Sequence, residues 1–249
     1  MSKLGRYQKN PLLSHYSPLG LLASEELILE RRFENLREEL ADIKPERPVV
    51  LLATTNEGKV REFQELLKRV PVRFAGLRDA HITQDVEETG TTFEENASLK
   101  AAMYARLSGL WALAEDSGLE VDALGGEPGV YSRRYAGVDA TDAERVQYLL
   151  SKLRNVPWER RGARFRSVIA IASPGGVQRV VDGECRGAVA LEPKGVEGFG
   201  YDPIFWLPDL GRTVAELSLE EKNRVSHRSR SAAKAAEALR ELVKNGALT

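Results

Sequence analysis

The polar run Thr54, Thr55, Asn56, Glu57, Gly58 and Lys59 lies directly between two apolar patterns. Residues 49–53 before it have the composition of a strand buried on both faces. Apolar residues recur at helical spacing after it: Val60, Phe63, Leu67 and Val70. Backbone N–H groups and the helix dipole at such a junction favour an anion, and Lys59 adds a positive charge. The run therefore predicts either a phosphate site or an ordinary strand–helix connection with a surface lysine.

Two acidic pairs further along the chain could bind a metal ion, for which this turn lacks the usual ligand. Val60 follows Lys59 where a Walker motif would have a metal-binding Ser or Thr. Glu87 and Glu88 lie in a predicted loop, whereas Glu115 and Asp116 lie where a predicted strand, residues 110–115, meets a predicted tight turn, residues 116–118. Mg²⁺ prefers one or two carboxylates together with water and substrate phosphates. The pairs predict a Mg²⁺ site, although each alone is also typical of a solvated loop or a helix cap.

Aromatic and basic residues near the C-terminus could hold a planar ring. The loop residues Phe199, Gly200, Tyr201 and Asp202 combine two aromatic rings with a carboxylate. Such a loop can stack on a nucleobase and read its edge, or it can be a turn with aromatic anchors. Lys222, His227 and Arg228 follow. Lys and Arg only donate hydrogen bonds, so a buried set of this kind favours a ligand that carries acceptor atoms.

The elements that must position these residues alternate between strands and helices. Helices are predicted over residues 92–108 and 142–153, the second with Thr141 as N-cap. Two antiparallel strands, residues 163–173 and 177–190, are joined at a Pro-Gly-Gly turn. The tail is helical from Ser218, which forms a capping-box pattern with Glu221. The pattern predicts an α/β fold with a mixed central sheet flanked by helices.

A boundary is predicted near Pro45 and Pro48, because the sequence on the two sides differs in character. Residues 1–47 form an N-terminal helical extension in this interpretation, and residues 48–249 form the main domain. Within the extension, residues 25–43 carry a narrow apolar seam flanked by charges. We expect this seam to pack on the main domain or on a partner subunit.

Composition excludes several classes of protein. The 249 residues include 36 basic and 37 acidic side chains, so the net charge of −1 creates no overall attraction for nucleic acid or an anionic membrane. The one cysteine, Cys185, excludes an internal disulfide and a cysteine-based zinc site. We expect a cytoplasmic protein, since no apolar stretch could span a bilayer and the N-terminus lacks the layout of a secretion signal.

The motifs together resemble the inosine/xanthosine triphosphate pyrophosphatase family. The resemblance extends from residue 49 to the C-terminal helix and leaves residues 1–47 outside it. The matching segments are residues 54–59, 87–97, 115–119, 124–129, 199–203 and 226–228, in family order. Two departures occur, since the family often has Gly at the position of Thr55 and Asp at the position of Glu115.

The resemblance implies hydrolysis of ITP, dITP and XTP to the monophosphate and pyrophosphate by a Mg²⁺-dependent homodimer. Asp116 would bind the metal and act as general base. Glu88 would complete the metal environment, and Glu87 and Glu115 are further candidates for it. The triphosphate would lie on residues 54–59, with Lys59 also stabilising the departing pyrophosphate. The remaining substrate contacts would come from Ser117, Phe199, Gly200, Tyr201, Asp202, Lys222, His227 and Arg228.

Two other functions fit parts of the sequence. A nucleotide-binding regulatory or RNA-associated protein is suggested by basic and aromatic residues that can bind single strands. They are Arg160, Arg161, Arg164 and Arg166, with Trp158 and Phe165. A related pyrophosphatase acting on modified pyrimidine nucleotides would use the same groups on a different base.

Overall fold

A seven-stranded mixed sheet organises residues 47–249, which are the residues that the computed structural model describes. The strands are β1 Val49–Leu52, β2 Arg73–Gly76, β3 Trp111–Val121, β4 Gly162–Ser173, β5 Gly176–Val189, β6 Phe205–Leu207 and β7 Arg212–Thr213. Their spatial order is β2-β1-β3-β4-β5-β6-β7. β1 is parallel to both neighbours, and the pairs from β3 to β7 are antiparallel. The predicted mixed sheet is confirmed, whereas the predicted N-terminal helix lies outside the described residues.

In the described part of the chain, five α-helices flank this sheet: α1 Glu57–Leu66, α2 Phe93–Ser108, α3 Asp142–Lys152, α4 Leu219–Val225 and α5 His227–Lys244. The predicted N-caps Thr141 and Ser218 are confirmed, and both form complete capping boxes. The C-terminal helical segment is divided at Ser226, whose extended backbone ends α4 and whose side chain caps α5.

The two faces of β1 show why its residues are continuously apolar. Val50 and Leu52 belong to a core cluster that includes α1 and α5 side chains, whereas Leu51 and Ala53 belong to one that includes α2 side chains. Side chains alternate between the faces of a strand, so a strand with helices on both sides must be apolar throughout. β1 therefore holds the following turn between two packed layers.

The predicted tight turn at residues 116–118 is wrong. β3 runs without interruption from Trp111 to Val121, and Asp116 pairs with Val168 of β4. Gly118 is required by close packing, because a Cβ atom there would overlap Ser132 and the carbonyl oxygen of Gly129. Asp116 is consequently held within a paired strand, a more rigid position than the strand end that the sequence suggested.

Among residues 47–249, the structure contains no helix long and apolar enough to cross a membrane.

Candidate active site

A cavity of about 570 Å³ lies beside the β1–α1 turn. The predicted site residues that line it are Thr54, Thr55, Asn56, Lys59, Glu87, Glu88, Glu115, Asp116, Ser117, Phe199, Gly200, Tyr201, Asp202, Lys222, His227 and Arg228. The other two are not among the lining residues: Glu57 begins α1, and Gly58 lies next to the ring of Phe199. Segments from residue 54 to residue 228 thus converge on one space large enough for a small-molecule ligand.

The β1–α1 turn is shaped by its own side chains. The Asn56 side chain accepts a hydrogen bond from the Lys59 N–H at 3.0 Å, and Thr54 Oγ1 accepts one from the Asn56 N–H at 3.2 Å. Asn56 is therefore the N-cap that starts α1 and orients the first helical turn. The sequence prediction of a strand, a polar turn and a helix opening is confirmed here.

Lys59 points from this turn into the cavity. Its Nζ atom lies 3.1 Å from Glu115 Oε2, and only 15% of its side chain is exposed. Burial lowers the pKa of Lys59, and the neighbouring Lys100 and Arg228 charges act in the same direction, against the attraction of Glu115. A lysine short of compensating negative charge is well suited to receive an anion.

Asp116 and Glu88 form the acidic end of the cavity. Asn96 donates a hydrogen bond to Asp116 Oδ2 at 3.0 Å, and the Lys100 ammonium lies against Glu88 and 3.8 Å from Asp116 Oδ1. Burial raises the pKa of Asp116, which Glu88 reinforces. The pKa of Glu88 is lowered because Lys100 outweighs the effect of burial. Glu87 lines the same region but is exposed.

These two carboxylates could hold a hard cation with the help of a ligand. Their donors are all oxygen atoms, which Mg²⁺ prefers. Among the residues that the structure describes, no three acidic, histidine or cysteine side chains are grouped as a metal site. A cation bound between Asp116 and Glu88 would have to complete its coordination with water and phosphate oxygens, as Mg²⁺ commonly does.

Glu115 belongs to a different electrostatic environment from its neighbour Asp116. Both of its oxygens accept hydrogen bonds from Arg228, at 2.9 and 3.2 Å, and Ser167 donates to it at 2.7 Å. Burial opposes ionisation of Glu115, but the charges of Arg228 and Lys59 outweigh it and hold its pKa well below the ordinary range. Glu115 is therefore a permanently charged counter-ion of two buried cations.

Arg228 is the largest of the fully buried side chains. Besides its bonds to Glu115, it donates to Glu62 and, at 3.2 Å, to Ser117 Oγ. A guanidinium has five N–H donors, and these contacts occupy four of them. Glu62 also pairs with Lys222 at 2.8 Å. One Arg228 donor is left for a ligand, so most of its hydrogen-bonding capacity maintains the pocket.

Phe199 lies across the two basic residues of this pocket. Its ring centre is 4.7 Å from Lys222 Nζ and 5.4 Å from the guanidinium carbon of Arg228. Asp202 holds the loop, since it accepts hydrogen bonds from the Phe199 N–H at 2.9 Å and from Lys222 Nζ at 2.6 Å. Tyr201 anchors the other side by donating to the Ser132 carbonyl at 2.9 Å. The loop thus places an aromatic ring against the Lys222 and Arg228 cations.

His227 is held between the ring of Phe165, 4.7 Å away and nearly parallel, and the charged network. Burial lowers the pKa of His227 well below 6.5, and the adjacent Arg228 charge adds to this. The imidazole is neutral near pH 7 and can donate only one hydrogen bond.

Gly58 couples the β1–α1 turn to the loop that carries Phe199, which leads to a first prediction. A Cβ atom at residue 58 would lie 2.6 Å from Phe199 Cδ1, so Gly58→Ala must displace the ring. For the purine nucleotides that the family resemblance implies as ligands, we expect the affinity to fall by about 10-fold, with little change in thermal stability, because Phe199 can move within a glycine-flanked loop. Gly175→Ala is the control, since its Cβ would meet only Ser173 Oγ at 3.5 Å. Equal affinities of both variants and the wild type would contradict the coupling.

Sequence reasoning missed several residues of this site. Asn96 and Lys100 lie four residues apart on α2, and Glu62 lies three residues after Lys59 on α1. Residues at these spacings share a helix face. The spacing from Lys59 was the available signal for Glu62, whereas the burial of Asn96 and Glu62 is seen only in the structure.

Most of the arginines proposed as a nucleic-acid surface are paired with carbonyl or carboxylate groups of the protein itself. Arg161 is buried and donates to three backbone carbonyls, those of Leu153, Val156 and Ala190. Arg164 pairs with Glu120 and Glu184, and Arg166 pairs with Glu94. Phe165 is buried. The basic stretch is therefore mainly a structural feature of β4 and the turn before it.

The chain is similar in sequence to members of a known protein family. The model of the Ham1 family matches residues 50–238. A dITP/XTP pyrophosphatase of Symbiobacterium thermophilum is 53% identical over 198 residues, covering 79% of this chain and 98% of the relative. A dITP/XTP pyrophosphatase of Geobacillus kaustophilus is 49% identical over 194 residues, covering 78% of this chain and 95% of the relative.

Solved structures show the same similarity. A HAM1 protein from Coxiella burnetii superposes with a TM-score of 0.72 at 43% identity, covering 78% of this chain and 99% of that one. A nucleoside-triphosphatase, or dITP/XTP pyrophosphatase, from Mycobacterium abscessus superposes with a TM-score of 0.63 at 43% identity, covering 75% of this chain and 98% of that one.

Proposed function

This chain belongs to the Ham1 family, and we propose that it removes non-standard purine nucleotides from the cellular pool. It hydrolyses ITP, dITP and XTP to the nucleoside monophosphate and pyrophosphate. One observation carries this proposal: the β1–α1 turn, the Asp116–Glu88 pair and the Phe199 pocket line the same cavity. That cavity offers, in one place, groups suited to the phosphates, the cation and the base of such a substrate.

Asp116 is the general base in this proposal. It accepts a proton from the water that attacks the α-phosphorus, the bond from that phosphorus to the bridging oxygen breaks, and pyrophosphate leaves. Burial raises the pKa of Asp116, which makes its carboxylate a better proton acceptor than an exposed one. Asn96 donates to Oδ2, which fixes the orientation of the group.

The cation is Mg²⁺ in this proposal, held by Asp116 and Glu88. When bound, it would neutralise phosphate charge and polarise the phosphoryl group. Glu87 remains a candidate to contact it through water. We assign Glu115 to a different role, the counter-ion of Arg228 and Lys59, because its oxygens are already engaged by them.

Lys59 and Lys100 supply the positive charge that faces the phosphates. Lys59 extends from the turn that cradles the triphosphate, and Lys100 reaches the same region from α2. Negative charge accumulates on the departing pyrophosphate in the transition state, so fixed cations here favour that state over the ground state.

Base selection follows from the donors beneath Phe199. Hypoxanthine and xanthine present an oxygen acceptor at position 6, where adenine presents an amino donor. The remaining Arg228 donor, or the single His227 N–H, can pair with that oxygen but not with an amino group. A buried mismatch of two donors leaves both unpaired, which such sites reject strongly.

Of the remaining assignments, the homodimer and the domain rest on the family resemblance, the cytoplasmic location rests on composition, and the role of the extension rests on its position before every proposed site residue. We propose that the enzyme acts in the cytoplasm as a homodimer, that residues 48–249 form its pyrophosphatase domain, and that residues 1–47 are an extension that leaves substrate choice unchanged. Nucleic acid and membrane are not partners in this proposal.

A panel of nucleotides tests the proposed function and is our second prediction. With Mg²⁺ present and pyrophosphate as the detected product, we expect kcat/KM for ITP, dITP and XTP to exceed that for ATP by about 100-fold or more. Modified pyrimidine nucleotides are included because a preference for them would favour the related pyrophosphatase. Equal rates on ATP and ITP would contradict selection by a donor to O6. Binding of RNA without turnover of any nucleotide would favour the regulatory alternative.

A further inference from the structure

Arg134 lies at the acidic end of the cavity, and the proposed function does not yet account for it. It ends the short 3-10 helix Gly129–Arg134, and it lines the cavity together with Glu88 and Asp116. Its Nη1 atom is 3.8 Å from Glu88 Oε2, and 35% of its side chain is exposed. Arg134 therefore lies beside Glu88, the carboxylate that Lys100 also contacts, and so near one of the two lysines assigned to the phosphates.

The backbone on which Arg134 is mounted is firmly held. Ser132 Oγ accepts a hydrogen bond from the Leu119 N–H of β3 at 2.9 Å and donates one to the Gly129 carbonyl at 2.6 Å. The Arg133 carbonyl accepts a hydrogen bond from Arg145 Nη1 at 3.0 Å. The two residues before Arg134 are thus fixed to β3 and α3, so its Cα position is set in advance of ligand binding.

The guanidinium of Arg134, in contrast, is not committed to a protein acceptor. Its separation of 3.8 Å from Glu88 exceeds hydrogen-bond distance, and its other contact is the face of the half-exposed Tyr131 ring, 4.8 Å away. Arg161 and Arg228 each donate several hydrogen bonds to the protein. Within residues 47–249, the five donors of Arg134 have no hydrogen-bond acceptor. A rigid backbone that carries an uncommitted guanidinium is suited to bind an incoming anion.

We propose that Arg134 binds the pyrophosphate portion of the triphosphate and keeps hold of it as the leaving group. The planar guanidinium fork matches two phosphate oxygens, and its attraction to Glu88 aims it at the same region while the site is empty. Lys59 and Lys100 then face the phosphates from α1 and α2, and Arg134 faces them from the segment before α3. This inference rests on the proposed function, because it names the substrate group that Arg134 contacts.

A competing explanation is that Arg134 only positions Glu88. The two roles predict different results. A phosphate contact changes the affinity for pyrophosphate and for triphosphate but not for the monophosphate product. A residue that only orients Glu88 changes the Mg²⁺ concentration needed for activity and leaves pyrophosphate affinity at saturating Mg²⁺ intact.

The test is a comparison of Arg134→Ala, Arg134→Lys and the control Arg106→Ala, our third prediction. Arg106 lies exposed in the last turn of α2, outside the cavity. Binding of inorganic pyrophosphate and of IMP is measured by calorimetry in saturating Mg²⁺, which needs no turnover. We expect Arg134→Ala to weaken pyrophosphate binding by about 10- to 100-fold, as loss of charge-assisted hydrogen bonds should, while IMP binding changes less than twofold. Arg134→Lys should be intermediate, because it keeps the charge but loses the fork.

Unchanged pyrophosphate affinity of Arg134→Ala would overturn the assignment, as would equal losses for pyrophosphate and IMP or a shift confined to the Mg²⁺ requirement. Failure of the proposed function would be seen separately, as absence of ITP turnover by the wild-type enzyme. The Arg106→Ala variant should match the wild type in every measurement.

Discussion

The Asp116→Asn variant should lose at least about 1,000-fold in kcat for ITP and yet be as stable as the wild type, or more stable. Activity falls because the amide neither accepts the proton of the attacking water nor contributes negative charge to the cation site. Stability is preserved because burial raises the pKa of Asp116, meaning that the folded protein holds this charge at a cost. The side chain of asparagine can still accept the hydrogen bond from Asn96.

The measurement combines steady-state kinetics with thermal unfolding of both proteins. Asp182→Asn is the control, because Asp182 is a half-exposed surface carboxylate paired with Lys234 outside the cavity. It should retain wild-type turnover. A folded Asp116→Asn enzyme with near wild-type kcat would remove Asp116 from the chemistry, and a large drop in its unfolding temperature would mean that the carboxylate has a structural role.

Local sequence signals were sufficient for the elements on either side of the β1–α1 turn. The apolar residues 49–53, the polar run after them and the helical repeat of α1 are each readable within about 20 residues, and β1 and α1 lie where the pattern placed them. The capping boxes at Thr141 and Ser218 were equally local, since cap and partner are three residues apart. The short β2, β6 and β7 were missed, because strands of two to four residues carry too little alternation to be recognised.

The electrostatic organisation of the site depends on contacts that no local pattern contains. The glycine at residue 118 suggested a turn, but it is required by the approach of Ser132 to β3. Glu115 and Asp116 are adjacent in sequence, yet one faces Arg228 and the other faces Asn96 and Lys100. Strand alternation predicts that neighbouring side chains point to opposite faces of the sheet. Which residues they contact on each face depends on the packing of α1, α2 and α5. The sequence therefore identified both carboxylates as candidate metal ligands but could not distinguish their roles.

The structural role of Glu115 can be tested through its ion pair with Arg228. We expect this pair to show a coupling energy of at least about 2 kcal/mol in the free energy of unfolding. Removing either partner alone leaves the other charge buried and only partly compensated, which is strongly destabilising, whereas removing both relieves that penalty. The cycle compares wild type, Glu115→Gln, Arg228→Gln and the double variant by urea unfolding. The pair is nearly inaccessible to solvent, with side chains 0% and 2% exposed, so water cannot substitute for the missing partner.

The exposed pair Glu220 and Arg224 on α4 is the matched control, since it is also a Glu–Arg ion pair but has side chains 79% and 69% exposed. Its cycle should give at most about 0.5 kcal/mol, as is usual for solvated pairs. The pKa of Glu115 lies below the ordinary 4.5, so its contribution is complete above that pH and is lost only as the pH falls through the depressed folded value. The coupling should therefore be the same at pH 7 and pH 6. Equal coupling in the buried and exposed pairs would mean that Glu115 does not anchor Arg228, and Glu62 would then be the carboxylate that holds this cation beneath the base.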